Sequence, residues 1–252
     1  MSQVKRFDWR MDEYRDAFET LLRCSSERRS LLPFLNRAIG DRPKTSVGID
    51  WGAGNGDLLP VLETTCEKVF AVEPSAPMRQ ELQSHCPDAI VVEGDILSAV
   101  PPVPVDVALL SHVLYHTPDE TWDSIVARLA NFLTRDGCLY VVLKNSTSGC
   151  NDMLAHFGAS RFDLRKQLAT IPQSHPEFTL LFEQLPAAVT TDSFEDTEAI
   201  ARFMFCDRNQ DEFSKIPTEA DFLQYVRDHF WDEQRQRGGW DYGLVICEVT
   251  RK

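Results

Sequence analysis

No stretch of the sequence approaches the ~18 consecutive apolar residues that a membrane-spanning helix needs, so no membrane partner is expected. The N-terminus, MSQVKRFDWRMDEYRD, carries charges throughout and lacks the apolar core of a secretory signal. Paired cysteines are missing as well. The seven cysteines (24, 66, 86, 138, 150, 206 and 247) are scattered, odd in number and without a CxxC spacing. They read as reduced thiols rather than a disulfide frame or a zinc site, and a cytoplasmic location is the expectation. Cations are scarce: 26 Lys and Arg stand against 39 Asp and Glu, for a net charge of −13. Without a basic footprint, nucleic acid and anionic membrane surfaces are poor partners. A cationic ligand suits that balance, although acidic surfaces often serve solubility alone. Internal repeats and low-complexity segments are absent.

What is present is an ordinary globular composition, 43% hydrophobic and 26% charged over 252 residues. That length allows one large α/β domain, or a core with a smaller lid. Residues 11–39 read as helical, with Tyr14, Phe18, Leu21 and Leu22 at helical spacing and a second apolar cluster before Gly40. From there strands and helices alternate. Strands are predicted at Ser46–Asp50, Lys68–Glu73, Ala89–Glu93, Val105–Leu110 and Cys138–Leu143. Helices are predicted through Leu58–Leu62, over Ala76–Ser84 and over Glu120–Leu133. Such alternation implies a parallel sheet covered on both faces, binding its ligand at the carboxyl ends of the strands. Beyond residue 150 the alternation weakens. Late strands are expected at Phe178–Leu185 and Leu244–Val249, antiparallel, with helices at Thr197–Phe205 and Glu219–Gln236. The charged run Asp232–Arg237 reads as a solvated helix face.

The most telling stretch is GIDWGAGNGD, residues 48–57, with glycines at every second position behind an apolar run. Glycines cluster where φ must be positive or where something approaches the main chain closely. A dinucleotide fingerprint would place a third glycine where Asp57 stands, and an acidic side chain there would oppose a pyrophosphate at the helix N-terminus. A phosphate-binding P-loop is excluded because no GK[ST] follows. The ligand is therefore expected to be a nucleoside without phosphates.

Asp50-x-Gly-x-Gly-x-Gly, an acidic residue ending the second strand and Gly-Asp after the third together resemble the class I S-adenosylmethionine-dependent methyltransferases. The resemblance implies a Rossmann-like, doubly wound, mainly parallel seven-stranded sheet with helices on both faces and a helical cap. It implies residues 1–40 as a substrate cap, 41–150 as the S-adenosylmethionine-binding core and 151–252 as late strands with substrate-side insertions, all in one domain. It also implies that Gly52 and Gly54 admit the methionyl moiety and that Glu73, followed by Pro74, accepts the ribose hydroxyls. Asp95 and Ile96 would flank the adenine, and Ser111-His112 would open onto the transferring methyl. More narrowly, Tyr14-x3-Phe18, Ser25-Ser26-Glu27, VEPSA (72–76), LYH (114–116) and SG…FG…SRF (148–162) are similar to the histamine N-methyltransferase family. That similarity implies a small amine or imidazole acceptor anchored by Glu27. It further implies a substrate wall of Tyr14, Phe18, His112, Tyr115, His116 and Trp240. The family's glutamine after strand four is here His112, its tyrosine pair is Tyr115-His116, and its two tryptophans are Cys150 and Leu154. Its amide at the closing strand falls near Trp240-Asp241, so the aromatic cage is altered.

Each residue has a plainer role to set beside these. Asp50 could cap a helix or meet the methionyl ammonium, directly or through water. Trp51 could pack on the cofactor or on the N-terminal helix, and Asp95 could simply make a turn. His112 could be a general base for a hydroxyl acceptor or a lining residue. Paired with His116 it lacks a suitably spaced third ligand, so no metal is expected. Tyr14, Phe18 and Tyr115 could be core aromatics, and Glu27 could pair on the surface with Arg23, Arg28 or Arg29. Three functions follow: an amine N-methyltransferase with Glu27 and His112 as catalytic candidates, an O-methyltransferase using His112 as base, or a silent S-adenosylmethionine-binding protein.

Overall fold

The computed structural model describes residues 2–6, 11–43, 46–206, 208 and 213–252. The chain divides into two compact units. One holds Arg29–Leu143, Leu164–Gln184 and Val245–Lys252; the other holds Met1–Arg28, Lys144–Asp163 and Leu185–Leu244.

The first unit is built on a seven-stranded sheet. Its strands are β1 (Val47–Trp51), β2 (Lys68–Glu73), β3 (Ile90–Glu93), β4 (Val105–Ser111), β5 (Leu133–Lys144), β6 (Phe178–Leu185) and β10 (Leu244–Arg251), in the order β3-β2-β1-β4-β5-β10-β6. β1, β2 and β4 are short apolar runs buried along nearly their whole length, as strands covered on both faces must be. Between them the chain returns through α3 (Leu59–Glu63), α4 (Ala76–His85) and α5 (Trp122–Ala130), which buries Trp122, Ile125, Val126 and Leu129. All pairings from β3 to β5 are parallel. Register puts Asp50 beside Ala71 and Leu109, Glu73 beside Glu93, and Ser111 beside Val142. The carboxyl ends of β1, β2 and β4 therefore lie side by side. Strand order reverses between β1 and β4, which is where open α/β sheets bind their ligands. Asp106 fixes the opposite end: its carboxylate accepts the Val47 amide at 2.8 Å and the Thr134 hydroxyl at 2.7 Å.

The second unit pairs β7 (Ala188–Thr191), β9 (Arg237–Asp241) and β8 (Trp231–Asp232) in an antiparallel sheet. Against it pack α1 (Asp12–Cys24), α6 (Gly149–His156), α9 (Phe194–Cys206) and α10 (Glu219–Phe230). α1 turns Tyr14 and Phe18 onto the Phe203 ring of α9, with centroids 4.8 and 5.7 Å apart. Arg202 is buried in α9, held by Glu198 at 2.5 Å, by Glu219, and by the Lys5 carbonyl at 2.8 Å. α10 opens with a capping box between Thr218 and Asp221.

Most expected elements appear within a residue or two; α9 begins three residues earlier than expected and the helices at Gly149–His156, Leu164–Leu168 and Ile171–Ser174 are additional, and larger differences lie elsewhere. α5 ends at Ala130 and Leu133 already begins β5, whose strand is twice the expected length. The helix expected over Glu219–Gln236 stops at Phe230, and the run Asp232–Arg237 forms the tip of the β8–β9 hairpin, with its turn at residues 233–236, rather than a helix face. There the Asp232 carboxylate accepts the Gln234 and Arg235 amides at 2.9 and 3.0 Å, and Gln236 takes a φ of 49°. This local side-chain bonding outcompetes helix continuation. Finally, the β7–β9–β8 sheet was not anticipated. Among the described residues no helix is long and apolar enough to cross a membrane.

Candidate functional site

The glycine turn sits at the carboxyl end of β1. Gly52 and Ala53 donate to the Val72 carbonyl at 2.8 and 3.0 Å, lashing the turn to β2. Gly52 has a φ of 77°, and a Cβ there would strike Val113 at 2.5 Å, so packing alone demands glycine. Gly54 differs: its φ is 56°, yet a Cβ would meet nothing within 4 Å. Its main chain borders open space, where a ligand can approach.

Two buried carboxylates stand beside that turn. Glu73, ending β2, accepts the Gly54 amide on Oε2 at 2.9 Å and the Ser75 amide on Oε1 at 2.8 Å. Pro74 follows, and its carbonyl accepts the Arg79 guanidinium at 2.6 Å, which also meets Glu93 at 3.2 Å. Asp50 is 2% exposed. Burial, reinforced by the charge of Glu73, pushes its carboxyl up to about 7. Such a pair gains from a cation. Trp51 is fully buried and stacks on Phe132 with centroids 5.9 Å apart, which makes it a core side chain. After β3, Asp95 makes the turn expected as its plainer role: Oδ1 accepts the Leu97 and Ser98 amides and the Ser98 hydroxyl at 2.8–2.9 Å. The Ser98 hydroxyl foremost holds the Asp95 carboxyl below its ordinary value. Ile96 is buried and its carbonyl accepts Arg128 at 2.9 Å.

At the end of β4, Ser111 leads into His112, whose φ of 57° is uncommon for a residue with a side chain. The His112 amide donates to the Val142 carbonyl at 2.9 Å. Its Nδ1 lies 3.2 Å from the Tyr115 hydroxyl, and the two rings stack 5.8 Å apart. Tyr115 is buried in the short turn that also carries His116. Among the described residues no three His, Cys, Asp or Glu side chains gather as a metal site.

In the second unit, Glu27 opens α2 (Glu27–Ile39) half-buried. Tyr242 donates to its Oε2 at 3.0 Å. Arg23, one of the arginines a surface pair could have used, meets Asp196 instead at 3.2 Å. Trp240 packs against Gly149, where a Cβ would lie 3.0 Å from it, and stacks on Phe230 at 4.4 Å. Tyr14 and Phe18, both half-buried, meet the Phe203 ring. Tyr242 was missed in the sequence. Its only signal was its place in WDYG, immediately before the closing strand.

Residues 49–141 match the model of a family described as a methyltransferase domain. An uncharacterized methyltransferase of Geobacillus sp. (strain WCH70) is 30% identical over 92 residues, 36% of this chain and 43% of that protein. The chain thus spans less than half the length of that curated relative. A trans-aconitate 2-methyltransferase of Afipia carboxidovorans is 26% identical over 163 residues, 64% of this chain and 60% of that protein. Among solved structures, the YcgJ protein of Bacillus subtilis superposes with a TM-score of 0.63 at 13% identity, covering 88% of this chain and 97% of its own. The plantazolicin methyltransferase BpumL, solved with S-adenosylhomocysteine, gives 0.52 at 12% identity, covering 96% and 86%. The fold is a Rossmann-like, mainly parallel seven-stranded sheet shared with these solved structures.

Proposed function

We propose that the chain is an S-adenosylmethionine-dependent methyltransferase acting on a small-molecule amine. The observation that carries the cofactor is the Asp50–Glu73 carboxylate pair beside an open Gly54. This donor set suits the group: an acidic residue for a ribose diol, a second for an ammonium, and no phosphate cradle. Glu73 holds the ribose hydroxyls, Asp50 faces the methionyl ammonium directly or through water, and Asp95 and Ile96 border the adenine. When bound, S-adenosylmethionine supplies a sulfonium-activated methyl for in-line displacement. The chain's part is alignment, because no strong base is needed for an amine that arrives neutral. Glu27 orients that amine, helps disperse its proton and favours the cationic product. The cysteines are all free, in keeping with a cytosolic setting.

A second reading, O-methylation with His112 as base, draws on its left-handed backbone at the end of β4 and its contact with the Tyr115 hydroxyl. A screen of amines, imidazoles, phenols and carboxylic acids with methyl-labelled cofactor, read by product mass, separates the two. Methylated amine or imidazole supports the first reading. In that case Glu27→Gln weakens acceptor binding roughly ten- to a hundred-fold. Methylated oxygen, with His112→Gln lowering kcat by about 10²–10⁴, establishes the second.

A further inference from the structure

Tyr242 is 3% exposed, and its hydroxyl lies 2.5 Å from Ser25 Oγ and 3.0 Å from Glu27 Oε2. The Glu27 amide in turn donates to Ser25 Oγ at 3.0 Å. A carboxylate can only accept, so the tyrosine proton goes to Glu27 and the Ser25 hydroxyl donates to Tyr242. The three bonds run one way round a closed ring. Both backbone segments that carry it are tied to residues 187 and 188. The Tyr242 and Gly243 amides donate to the Ala187 carbonyl, the Ser26 amide to the Ala188 carbonyl, and the Ala188 amide to Ser26 Oγ, all at 2.9–3.0 Å. Burial, with Glu27 beside it, raises the Tyr242 phenol, so it remains a donor through neutral pH. Cys150 of α6 is a further titratable neighbour of that phenol. Tyr242 takes one of the roughly four acceptor positions of the carboxylate.

We infer that Tyr242, backed by Ser25, is the positioning residue that keeps Glu27 ionised and fixed for the acceptor's nitrogen, which arrives neutral and leaves as the cationic product. The inference rests on the amine reading above. A donated hydrogen bond favours the carboxylate form, and a fixed partner orients whatever the carboxylate binds.

The test is a carbon-13 titration of the glutamate side chains in the full chain, with Glu27 assigned through Glu27→Gln. It is paired with calorimetry of histamine and benzylamine as probes on the S-adenosylhomocysteine-loaded protein. Tyr242→Phe keeps the ring and shape, and its melting curve reports folding. Expected are a Glu27 titration moved up by roughly one to two pH units and about tenfold weaker probe binding, with S-adenosylhomocysteine affinity unchanged. Ser25→Ala moves both in the same direction by less. An unmoved Glu27 titration in folded Tyr242→Phe overturns the ring. A moved titration with unchanged probe binding overturns the positioning role. Failure of wild type to bind either probe, with its Glu27 titration intact, overturns the amine reading and the inference with it.

Discussion

At the scale of single residues, Asp50 carries the sharpest consequence. Its carboxyl is raised to about 7 in the folded chain, against an ordinary value near 3.8. The native state therefore holds more protons than the unfolded state between those values, and this group's contribution falls as pH rises from about 4 to about 7. Asp50→Asn removes that loss. The variant should match wild type in melting temperature near pH 4, exceed it increasingly up to about pH 7 and keep a constant advantage above that, while losing cofactor. A constant difference between the two melting curves all the way from about pH 4 to about pH 7 would contradict the assignment. The same residue makes cofactor affinity depend on pH. An ammonium beside Asp50 draws the carboxylate form, so binding should release protons near pH 6.5 and strengthen as pH rises to about 7.5. Glu73 is a different case, because its amide partners hold it at the Gly54 turn. Glu73→Ala should cost about 1.5–3 kcal/mol of S-adenosylhomocysteine affinity by calorimetry, through lost charge-assisted bonds to the ribose.

Among elements, the parallel strands were legible because burial on both faces leaves an apolar signature in the sequence. Lys68–Glu73 is β2 as read, buried at every residue after its first, whereas β6, found at the expected Phe178–Leu185, alternates between exposed and half-buried positions after its buried Phe178. β7, β8 and β9 were not legible. Their four, two and five residues hold too few side chains to show a period, and β9 contains Gly238-Gly239. The pair has a packing reason visible only in three dimensions. A Cβ on Gly238 would lie 2.1 Å from Thr197 Oγ1 and 2.6 Å from Thr191 Oγ1, two hydroxyls already bonded to each other at 2.5 Å. Gly238→Ala should therefore destabilise by about 1–3 kcal/mol in urea unfolding. A neutral result would mean that the hairpin sits less tightly on α9 than described. In the candidate site, the strand-end places of Asp50, Glu73 and Ser111 followed from alternation, while the roles given to Glu73 and Ser111 came from the family resemblance. The packing role of Gly52 followed from neither, since Val113, the side chain it must admit, lies more than sixty residues on. Tyr242 was hidden for the same reason: its partners Ser25 and Glu27 lie at the other end of the chain.

At the scale of the whole molecule, one sheet presents two carboxylates, Asp50 and Glu73, where a dinucleotide fold would present a phosphate cradle. A net charge of −13 over 252 residues agrees with a cationic ligand and opposes a phosphorylated one. The match to a methyltransferase-domain family, over residues 49–141, covers this glycine turn and runs from within β1 into β5. The narrower amine reading hangs on Glu27 alone and can fail without disturbing the cofactor. The cofactor cannot fail without taking the amine reading with it. Titration calorimetry of the purified chain with S-adenosylhomocysteine and, separately, with NAD tests that dependence most directly. One S-adenosylhomocysteine should bind per chain, with affinity lost in Glu73→Ala and no heat from NAD. Heat from NAD and none from S-adenosylhomocysteine would contradict the cofactor assignment at its root.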